Sequence, residues 1–452
     1  VNILQSLTSN FGTDNKKSDL VINNQSGGSS GQGGGQGAGN SPGGQKGGTQ
    51  GGRPPANVVA QFGLGPLPSG MPPLNETRFL NDRVVFQLGG RISDGDLKAL
   101  LASLNLEVLF EEDVGLLGRK VLGLKLPAGA NVRAIIPLLE ARGASFSAQP
   151  YYQFEMTQDL AQAPSPADTN RKGDSAQYIV EKLGLPEAHL IATGKDVKVA
   201  VIDSEIDQKH PDLEGAISGN YDALPSDDQT AHPHGTGMAG AIASHRRLLG
   251  VAPGAKLLAV RAFGVNTGGA QGTSMNIVKG LQWAVDQGAK VINMSFAGPK
   301  DPILQQAMQR LTDQGIILIA AAGNAGPKSP PLFPGADPNV IAVSATDVDN
   351  KTYKNANRGK YVAIASPGVD ILVPAPDGGY QLTTGTSVAA AHISGVVALM
   401  LERNKDLKPA EVRSILMGTA RNIGSAKTDV GAGLVDPVAA LAKAGPKQAG
   451  LR

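Results

Sequence analysis

The chain has 452 residues, enough for two or three domains, and 41% of its residues are apolar, which is ample for a large buried core. A formal net charge of +2, without a basic stripe or interleaved aromatic residues, excludes a nucleic-acid-binding protein. The absence of cysteine excludes disulfides, thiol catalysis and cysteine-ligated metals. No apolar run reaches the roughly 20 residues of a transmembrane helix, so no membrane span is predicted.

The first 76 residues carry little that could fold. Residues 1–25 have a mixed composition and no assigned role, whereas residues 26–76 are rich in Gly, Ser and Gln and then in Pro. Such a tract cannot bury enough apolar surface to offset chain entropy, so we predict a disordered linker that acts as a flexible tether. A phosphate-binding loop is excluded because no strand precedes these glycines and no Lys-Ser/Thr helix follows them.

Residues 77–157 are predicted to form a small α+β domain. Strands are expected over 83–88, 107–113, 120–126 and 150–156, and helices over 94–105, behind an Asp cap, and over 131–143. This β-α-β-β-α-β pattern is that of a split-βαβ, ferredoxin-like fold. The polar segment 158–175, which contains Pro and Asp, is predicted to be an exposed linker.

Residues 176–445 are predicted to form the main domain, followed by a short tail over 446–452. Apolar runs alternate here with amphipathic helices, and they cover 197–202, 256–263, 289–294, 316–321, 340–345 and 361–365. Continuous apolar runs indicate strands buried on both faces, hence a parallel sheet between helices. Active residues are expected at the carboxyl ends of such strands. Trp283 lies at helical spacing with apolar residues and is predicted to be core.

Three polar residues of this domain have the types needed for nucleophilic catalysis. Asp203 ends the apolar run VKVAVID, His234 lies in PHGTGMAG, and Ser387 lies in TTGTSVAAAHISG, where a buried helix is predicted to begin. A serine hydroxyl is a poor nucleophile until a neutral imidazole takes its proton. A carboxylate on the other ring nitrogen fixes the tautomer and stabilises the imidazolium. The trio therefore predicts a serine hydrolase.

The order of these residues along the chain discriminates among unrelated folds. Asp before His before Ser differs from the order in α/β-hydrolases, and with these three strings the chain resembles the subtilisin-like serine proteases. The resemblance implies a subtilisin-like three-layer α/β fold, with helices on both faces of the parallel sheet. It also implies a serine endopeptidase that needs no cofactor and forms an acyl-enzyme with polypeptide substrates.

Further site residues follow from the same resemblance. Asn324, in GIILIAAAGNAG, implies an oxyanion donor beside the backbone N–H of Ser387. Two rims are expected to hold an extended peptide as an added strand, which leaves selectivity to side-chain pockets. The rim residues are Gly268, Gly269 and Ala270 on one side and Ser295, Phe296, Ala297 and Gly298 on the other.

The ferredoxin-like domain resembles the inhibitor propeptide of these proteases, because it lies directly upstream and ends in the string QPYYQF. This implies a zymogen in which the chain's own propeptide acts as an intramolecular chaperone and inhibitor, with autoprocessing between about Met156 and Ser175. An accessory domain that is never removed is the alternative. The resemblance and the start at Val1 lead us to expect a secreted or periplasmic monomer.

The chain departs from the family pattern at three positions. Glu205 stands where the family has Gly, two residues after the catalytic Asp, so it could bring an extra carboxylate near the triad and demand an altered turn. Ala391 replaces a Pro, and Gly237 replaces a frequent His. The competing hypothesis is therefore a catalytically impaired protein that binds peptides in the same cleft.

Metal sites are not predicted. Subtilisins commonly hold structural calcium through an Asp that Asp212 matches, together with a loop that here reads SHRRLLG (244–250) and is short and basic. Calcium takes six to eight oxygen ligands, so we expect this site to be absent. His189, His210, His232 and His245 lack metal-ligand spacing and are expected to be surface or packing residues.

Overall fold

The structure is a computed structural model that describes residues 67–445 apart from 90–91, 144–145, 157–158, 163–175, 225–228 and 267–268. The predicted segments 1–25 and 446–452, and most of the predicted linkers 26–76 and 158–175, lie outside the described residues. The strands are β1 (Phe79–Leu88), β2 (Glu107–Val114), β3 (Arg119–Lys125), β4 (Phe146–Met156), β5 (Asp159–Gln162), β6 (Lys198–Asp203), β7 (Ile217–Asp222), β8 (Lys256–Arg261), β9 (Gly264–Asn266), β10 (Gly269–Thr273), β11 (Val291–Met294), β12 (Phe296–Ala297), β13 (Ile317–Ala321), β14 (Val340–Thr346), β15 (Val362–Pro367), β16 (Ile371–Ala375) and β17 (Gly379–Thr384). The helices are α1 (Asp94–Ser103), α2 (Val132–Glu140), α3 (Tyr178–Lys182), α4 (Leu185–His189), α5 (Pro233–Ala243), α6 (Ser274–Asp286), α7 (Pro302–Asp313), α8 (Thr386–Arg403), α9 (Pro409–Thr419), α10 (Lys427–Val430) and α11 (Pro437–Ala444), with a 3₁₀ turn at Pro211–Leu213.

The first domain is an antiparallel sheet in the order β2-β3-β1-β4, with α1 following β1 and α2 following β3. This is the predicted β-α-β-β-α-β arrangement. The N-cap of α1 is Ser93, whose side chain accepts from the N–H of Asp96, and not the predicted Asp94.

The end of the predicted disordered linker is anchored on this domain. The guanidinium of Arg133, in the first turn of α2, donates to the carbonyl oxygens of Pro72, Pro73 and Glu76 at 2.6–2.9 Å. The prediction of an unstructured linker therefore does not apply to the stretch just before β1.

The main domain contains a parallel sheet of seven strands in the order β15-β14-β13-β11-β6-β8-β7. All six apolar runs named above form strands of this sheet, as their continuous burial predicted. The seventh strand, β7, was not predicted. Its sequence ISGNYD has few apolar residues, because it is an edge strand that pairs only with β8 within this sheet.

The parallel sheet separates two hydrophobic cores. Side chains such as Val199 and Val201 of β6 pack with residues of α5 and α8, whereas Ala200 and Ile202 pack with residues of α6 and α7. The second core continues into the first domain, whose sheet covers α6 and α7. Among the described residues, no helix combines the length and the apolar character that a bilayer span requires.

Trp283, predicted to be core, lies only half-buried at the border of the second core. Its ring stacks on that of Tyr221 on β7, with 5.5 Å between the ring centroids. Trp283 thus packs against the edge strand of the sheet, where the second core ends, and for this reason its ring is not fully enclosed.

Candidate active site

Two of the three predicted catalytic residues meet in a buried hydrogen bond. Asp203 is the last residue of β6, and His234 is the second residue of α5. Nδ1 of His234 lies 2.7 Å from Oδ1 of Asp203, and both side chains are buried. A carboxylate can only accept, so Nδ1 of the neutral imidazole carries the proton and Nε2 is left as a base. Nε2 has no hydrogen-bond partner among the described residues.

Backbone contacts hold this pair in place. The N–H of Ser204 donates to Oδ1 of Asp203 at 2.8 Å. Gly235, the residue after His234, packs on the same turn, and a Cβ at this position would lie 2.4 Å from the carbonyl oxygen of Ser204. Glycine is therefore needed for α5 to approach the end of β6 closely enough for the hydrogen bond.

His232 is also part of the site. It is the N-cap of α5, and its Nδ1 accepts from the N–H of His234 at 3.3 Å. Burial, and then the neighbouring His234, lower the pKa of His232 and keep it able to accept. The expected surface or packing role misses this capping function, although Pro233, in the first helical position, is a signal for an N-cap just before it.

Ser387 is the second residue of α8 and is buried. The N–H groups of a first helical turn have no intrahelical acceptor, and the helix dipole favours negative charge there. The Oγ of Ser387 donates to the carbonyl oxygen of Ser295 at 3.1 Å. In this structure the hydroxyl is thus held by a rim residue, while Nε2 of His234 is not its acceptor.

Asn324 lies close to the start of α8. Its Oδ1 accepts from the N–H and from Oγ1 of Thr386, at 3.0 and 2.8 Å. Thr386 is the residue before Ser387, so the amide of Asn324 is oriented by the same helical turn that carries the serine. The two groups predicted to bind an oxyanion therefore lie at one helix N-terminus.

The end of β4 lies as an added antiparallel strand between two rims. One rim is β12, where Phe296 and Ala297 pair with Met156 and Glu155. The other is β10, in the register Thr273 with Gln153, Gly272 with Phe154 and Gln271 with Glu155. This is the β-strand addition by which proteins bind extended peptides.

The β10 rim differs from the predicted one in the residues that pair with β4. Gly269 and Ala270 pair with β9, whereas Gly268 lies outside the described residues. The pairing with β4 uses Gln271–Thr273 instead. A Cβ on Gly272 would lie 2.5 Å from the carbonyl oxygen of Ala262, so a glycine is required at this point of the strand. Several glycines in this stretch leave it without a side-chain pattern, so its register could not be predicted from the sequence.

The β12 rim contains an aromatic pocket that Phe154 fills. Its ring centroid lies 5.9 Å from that of Phe296, which in turn lies 4.9 Å from that of Phe263. A Cβ on Gly298 would lie 2.3 Å from the ring of Phe154, so glycine is needed to make room for the aromatic side chain. The pocket is therefore shaped for a large apolar group.

Beyond β4, the chain forms one more strand, β5, which pairs with the strand that leads to Ser387. After residues 157–158, which lie outside the described residues, β5 pairs antiparallel with β17, from Asp159 opposite Thr384 to Gln162 opposite Gln381. Strand β17 leads through Gly385 directly into α8 and Ser387. The chain is thus held on both sides of the predicted nucleophile.

Glu205 contributes its backbone carbonyl to the site, and its own backbone conformation is one that any residue adopts. Its carbonyl oxygen accepts from the N–H of His232 at 2.8 Å, and it is not among the non-glycine residues with positive φ. Its side chain borders a cavity with Asp222 and Arg261, which form an ion pair at 2.6 Å. Burial raises the pKa of Glu205.

Both carboxylate oxygens of Asp212, the residue at the position where relatives hold calcium, accept hydrogen bonds. Oδ1 of Asp212 accepts from the N–H of Arg247 at 2.6 Å, and Oδ2 accepts from the N–H of Leu248 at 3.2 Å. Both donors belong to the loop 244–250, so backbone N–H groups occupy the carboxylate. Within the described part of the chain, no group of three or more His, Asp or Glu residues could hold a metal ion.

The fold and the site define a class of protein. A parallel α/β sheet with a buried Asp–His pair at the end of a strand, and a buried serine in the first turn of a helix, is the framework of a serine hydrolase. The family model described as "Subtilase family" matches residues 194–434. The chain belongs to the subtilase family and is a serine-type endopeptidase.

Two proteases from other organisms are similar to this chain. Subtilisin BL from Lederbergia lenta is 35% identical over 273 residues, which cover 59% of this chain and 98% of the relative. Thermitase from Thermoactinomyces vulgaris is 35% identical over 261 residues, covering 56% of this chain and 91% of the relative.

A solved structure extends the similarity beyond the catalytic domain. Fervidolysin from Fervidobacterium pennivorans, described as a keratinolytic enzyme related to subtilisin, superposes with a TM-score of 0.69 at 26% identity and covers 84% of this chain. The present chain spans 63% of the length of that structure.

Proposed function

We propose that the chain is made as a zymogen and that its catalytic triad is Asp203, His234 and Ser387. The observation that carries the proposal is the buried 2.7 Å hydrogen bond between Nδ1 of His234 and Oδ1 of Asp203. It leaves Nε2 as the only basic nitrogen of the imidazole, at the edge of the sheet where α8 begins.

The chemistry follows from these groups. Nε2 of His234 takes the proton of Ser387 as Oγ attacks the peptide carbonyl, and Asp203 stabilises the imidazolium. The N–H of Ser387 and the amide of Asn324 donate to the oxyanion, each contributing roughly 3 kcal/mol to the transition state. His234 then protonates the leaving amine, and water hydrolyses the acyl-enzyme by the reverse sequence.

Substrates are polypeptides bound in an extended conformation. β10 and β12 would pair with the backbone on the acyl side of the cut, as they now pair with β4. Because backbone pairing tolerates many sequences, selectivity depends on pockets such as the aromatic one around Phe296. We expect a preference for a large apolar residue in the position that Phe154 occupies.

The first domain acts as inhibitor and folding partner of the catalytic domain. Its strand β4 occupies the cleft, and β5 continues the chain beside β17, so the bond that is cut lies between Met156 and Asp159. Parallel sheets fold slowly because their contacts are non-local, and a pre-folded partner that covers α6 and α7 lowers that barrier. A secreted or periplasmic location and a monomeric state stay predictions supported by family membership.

The proposal is tested by the mass of the purified full-length chain. Wild type is expected to yield two fragments that meet between residues 156 and 159, whereas Ser387→Ala is expected to stay intact. Ser344→Ala is the matched control, because it removes another buried serine hydroxyl, and it is expected to be cut like wild type.

Equal cutting of wild type and Ser387→Ala would assign the cleavage to another protease. A wild type that stays whole and does not hydrolyse peptides would favour the alternative of a protein that only binds peptides in this cleft.

A further inference from the structure

A group of buried polar side chains lies directly behind Ser387. It consists of Asn293, Ser295 and Ser394, all of which are buried. Asn293 belongs to β11, a central strand between β6 and β13, and is the one polar residue in the strand VINM. A polar side chain at such a place destabilises the fold unless it is fully hydrogen-bonded, so its partners indicate why it is there.

The amide of Asn293 uses both its oxygen and its nitrogen. Oγ of Ser394, two turns into α8 from Ser387, donates to Oδ1 of Asn293 at 2.9 Å. Nδ2 of Asn293 donates to Oγ of Ser295 at 2.9 Å. The amide thus bridges the helix that carries Ser387 and the rim residue that precedes β12.

Ser295 passes this restraint on to Ser387. Its Oγ donates to the carbonyl oxygen of Ser387 at 3.0 Å, and its own carbonyl oxygen accepts from Oγ of Ser387 at 3.1 Å. A hydroxyl has one proton, and that of Ser295 is committed to Ser387, so it receives the N–H of Asn293 on a lone pair. The direction of the hydrogen bonds from Asn293 through Ser295 to Ser387 is therefore determined.

We propose that Asn293 is a positioning residue for the acylation step. Its amide, oriented by Ser394, fixes Ser295 and through it the backbone of Ser387. This rests on the proposed role of Ser387 as nucleophile. A displacement of about 1 Å in a reacting group can lower a rate about a hundredfold, so a rigid link from the central sheet to Ser387 affects turnover more than substrate affinity.

Asn293→Leu tests the proposal with little disturbance of the fold. Leucine has a similar size and suits a central strand. The two hydroxyls left behind keep acceptors, since Ser295 still donates to Ser387 and Oγ of Ser394 lies 3.0 Å from the carbonyl oxygen of Ala390. Ser394→Ala is the second variant, because it removes the hydroxyl that donates to Oδ1 of Asn293 and leaves the amide itself in place. Ser344→Ala, which removes a buried hydroxyl on β14, is the control.

The measurement is peptide hydrolysis by the processed protein, with kcat expressed per active site after titration with a serine-directed fluorophosphonate. We expect Asn293→Leu to lower kcat about 10- to 100-fold. Ser394→Ala should lower it about threefold to tenfold. Both variants should change KM less than threefold, and Ser344→Ala should match wild type in kcat and KM.

A purely structural role would lower the melting temperature and the titrated fraction while leaving kcat per active site unchanged, and this result would overturn the inference. If Asn293→Leu yields no folded protein, Ser394→Ala decides alone, and an unchanged kcat in that variant refutes the positioning role. Failure of the wild type to hydrolyse peptides would instead refute the proposed function, so the two failures are distinguishable.

Discussion

His392, on the helix that carries Ser387, is a buried histidine whose surroundings favour its neutral form. Its Nδ1 lies 3.0 Å from the carbonyl oxygen of Pro367, and Nε2 has no hydrogen-bond partner among the described residues. Burial lowers the pKa of His392 to about 4, and the hydrogen bond to Pro367 offsets only part of this effect. A charged imidazolium at this place would be unfavourable because it would be buried without a counter-ion.

The free energy of unfolding should therefore depend on pH through His392. Its pKa is about 4 in the folded chain and about 6.5 in the unfolded one, so between these values the unfolded state binds more protons. The contribution of His392 to the free energy of unfolding is fully present above pH 6.5. It falls by roughly 3 kcal/mol as the pH drops to 4 and changes little at lower pH.

The measurement is urea unfolding of the Ser387→Ala chain between pH 4 and 8, with and without the additional change His392→Gln. The variant cannot take up the proton, so its stability should decline less below pH 6.5. Parallel pH curves for the two proteins would show that His392 does not carry this dependence.

Residues whose role depends on local sequence were predictable, and those whose role depends on distant contacts were not. Asp203 ends an apolar run, and its hydrogen bond to His234 is the contact that the triad hypothesis requires. Asn293 gave no comparable signal, because its partners Ser295 and Ser394 belong to a rim and to a helix far along the chain. Only the folded chain brings these three together.

The interface between the first domain and helices α6 and α7 contains two buried glutamines with opposite environments. Gln149 on β4 donates to Asp301 at 2.8 Å and accepts from the N–H of Ile303 at 3.1 Å, at the start of α7. Gln87 on β1 lies on the same face of the sheet, since Val85 is directly opposite Gln149 and side chains alternate. Both polar atoms of the Gln87 side chain lack a partner among the described residues.

The two glutamines should therefore affect release of the first domain in opposite directions. An unsatisfied buried amide costs about 1–3 kcal/mol that is recovered when the interface opens to water. Gln87→Leu should slow release about tenfold. Gln149→Leu removes one donor to the buried Asp301 and the acceptor of the Ile303 N–H, so it should speed release.

The full-length chain provides both measurements. Appearance of the cut fragments reports cleavage, and the delay before peptide hydrolysis begins reports release. Neither variant should change the rate of cleavage. The delay before peptide hydrolysis should lengthen for Gln87→Leu and shorten for Gln149→Leu. A shift of both delays in the same direction would contradict the assignment, because it would mean that the glutamines act alike.

Strands with continuous apolar runs were predictable as elements, but their partners were not. The six predicted strands of the parallel sheet form as expected, while β7 lacks the apolar pattern because it lies at the edge. The pairing of β5 with β17, and the register of β10 on β4, depend on how the two domains meet. Neither propensity nor periodicity contains that information.

At the scale of the whole molecule, no disulfide contributes to stability, since the chain has no cysteine. Side-chain contacts tie together the 3₁₀ turn at Asp212, the loop 244–250 and β17. The carboxylate of Asp212 binds two N–H groups of the loop, and the guanidinium of Arg247 lies over the ring of Tyr380 on β17, 4.4 Å from its centroid. This cation–π contact adds about 0.5–2 kcal/mol.

We therefore expect the melting temperature of the full-length Ser387→Ala chain to be independent of calcium. Adding a chelator should shift it by less than about 2 °C, because the oxygens of Asp212 already accept hydrogen bonds from the loop. Asp212→Ala, which removes an acceptor of two buried N–H groups, should lower it by several degrees, to the same extent with calcium and with chelator. A large drop on chelation that disappears in Asp212→Ala would show that this carboxylate binds calcium after all. A large drop that persists in the variant would place a metal elsewhere in the chain and contradict a molecule stabilised by its own contacts alone.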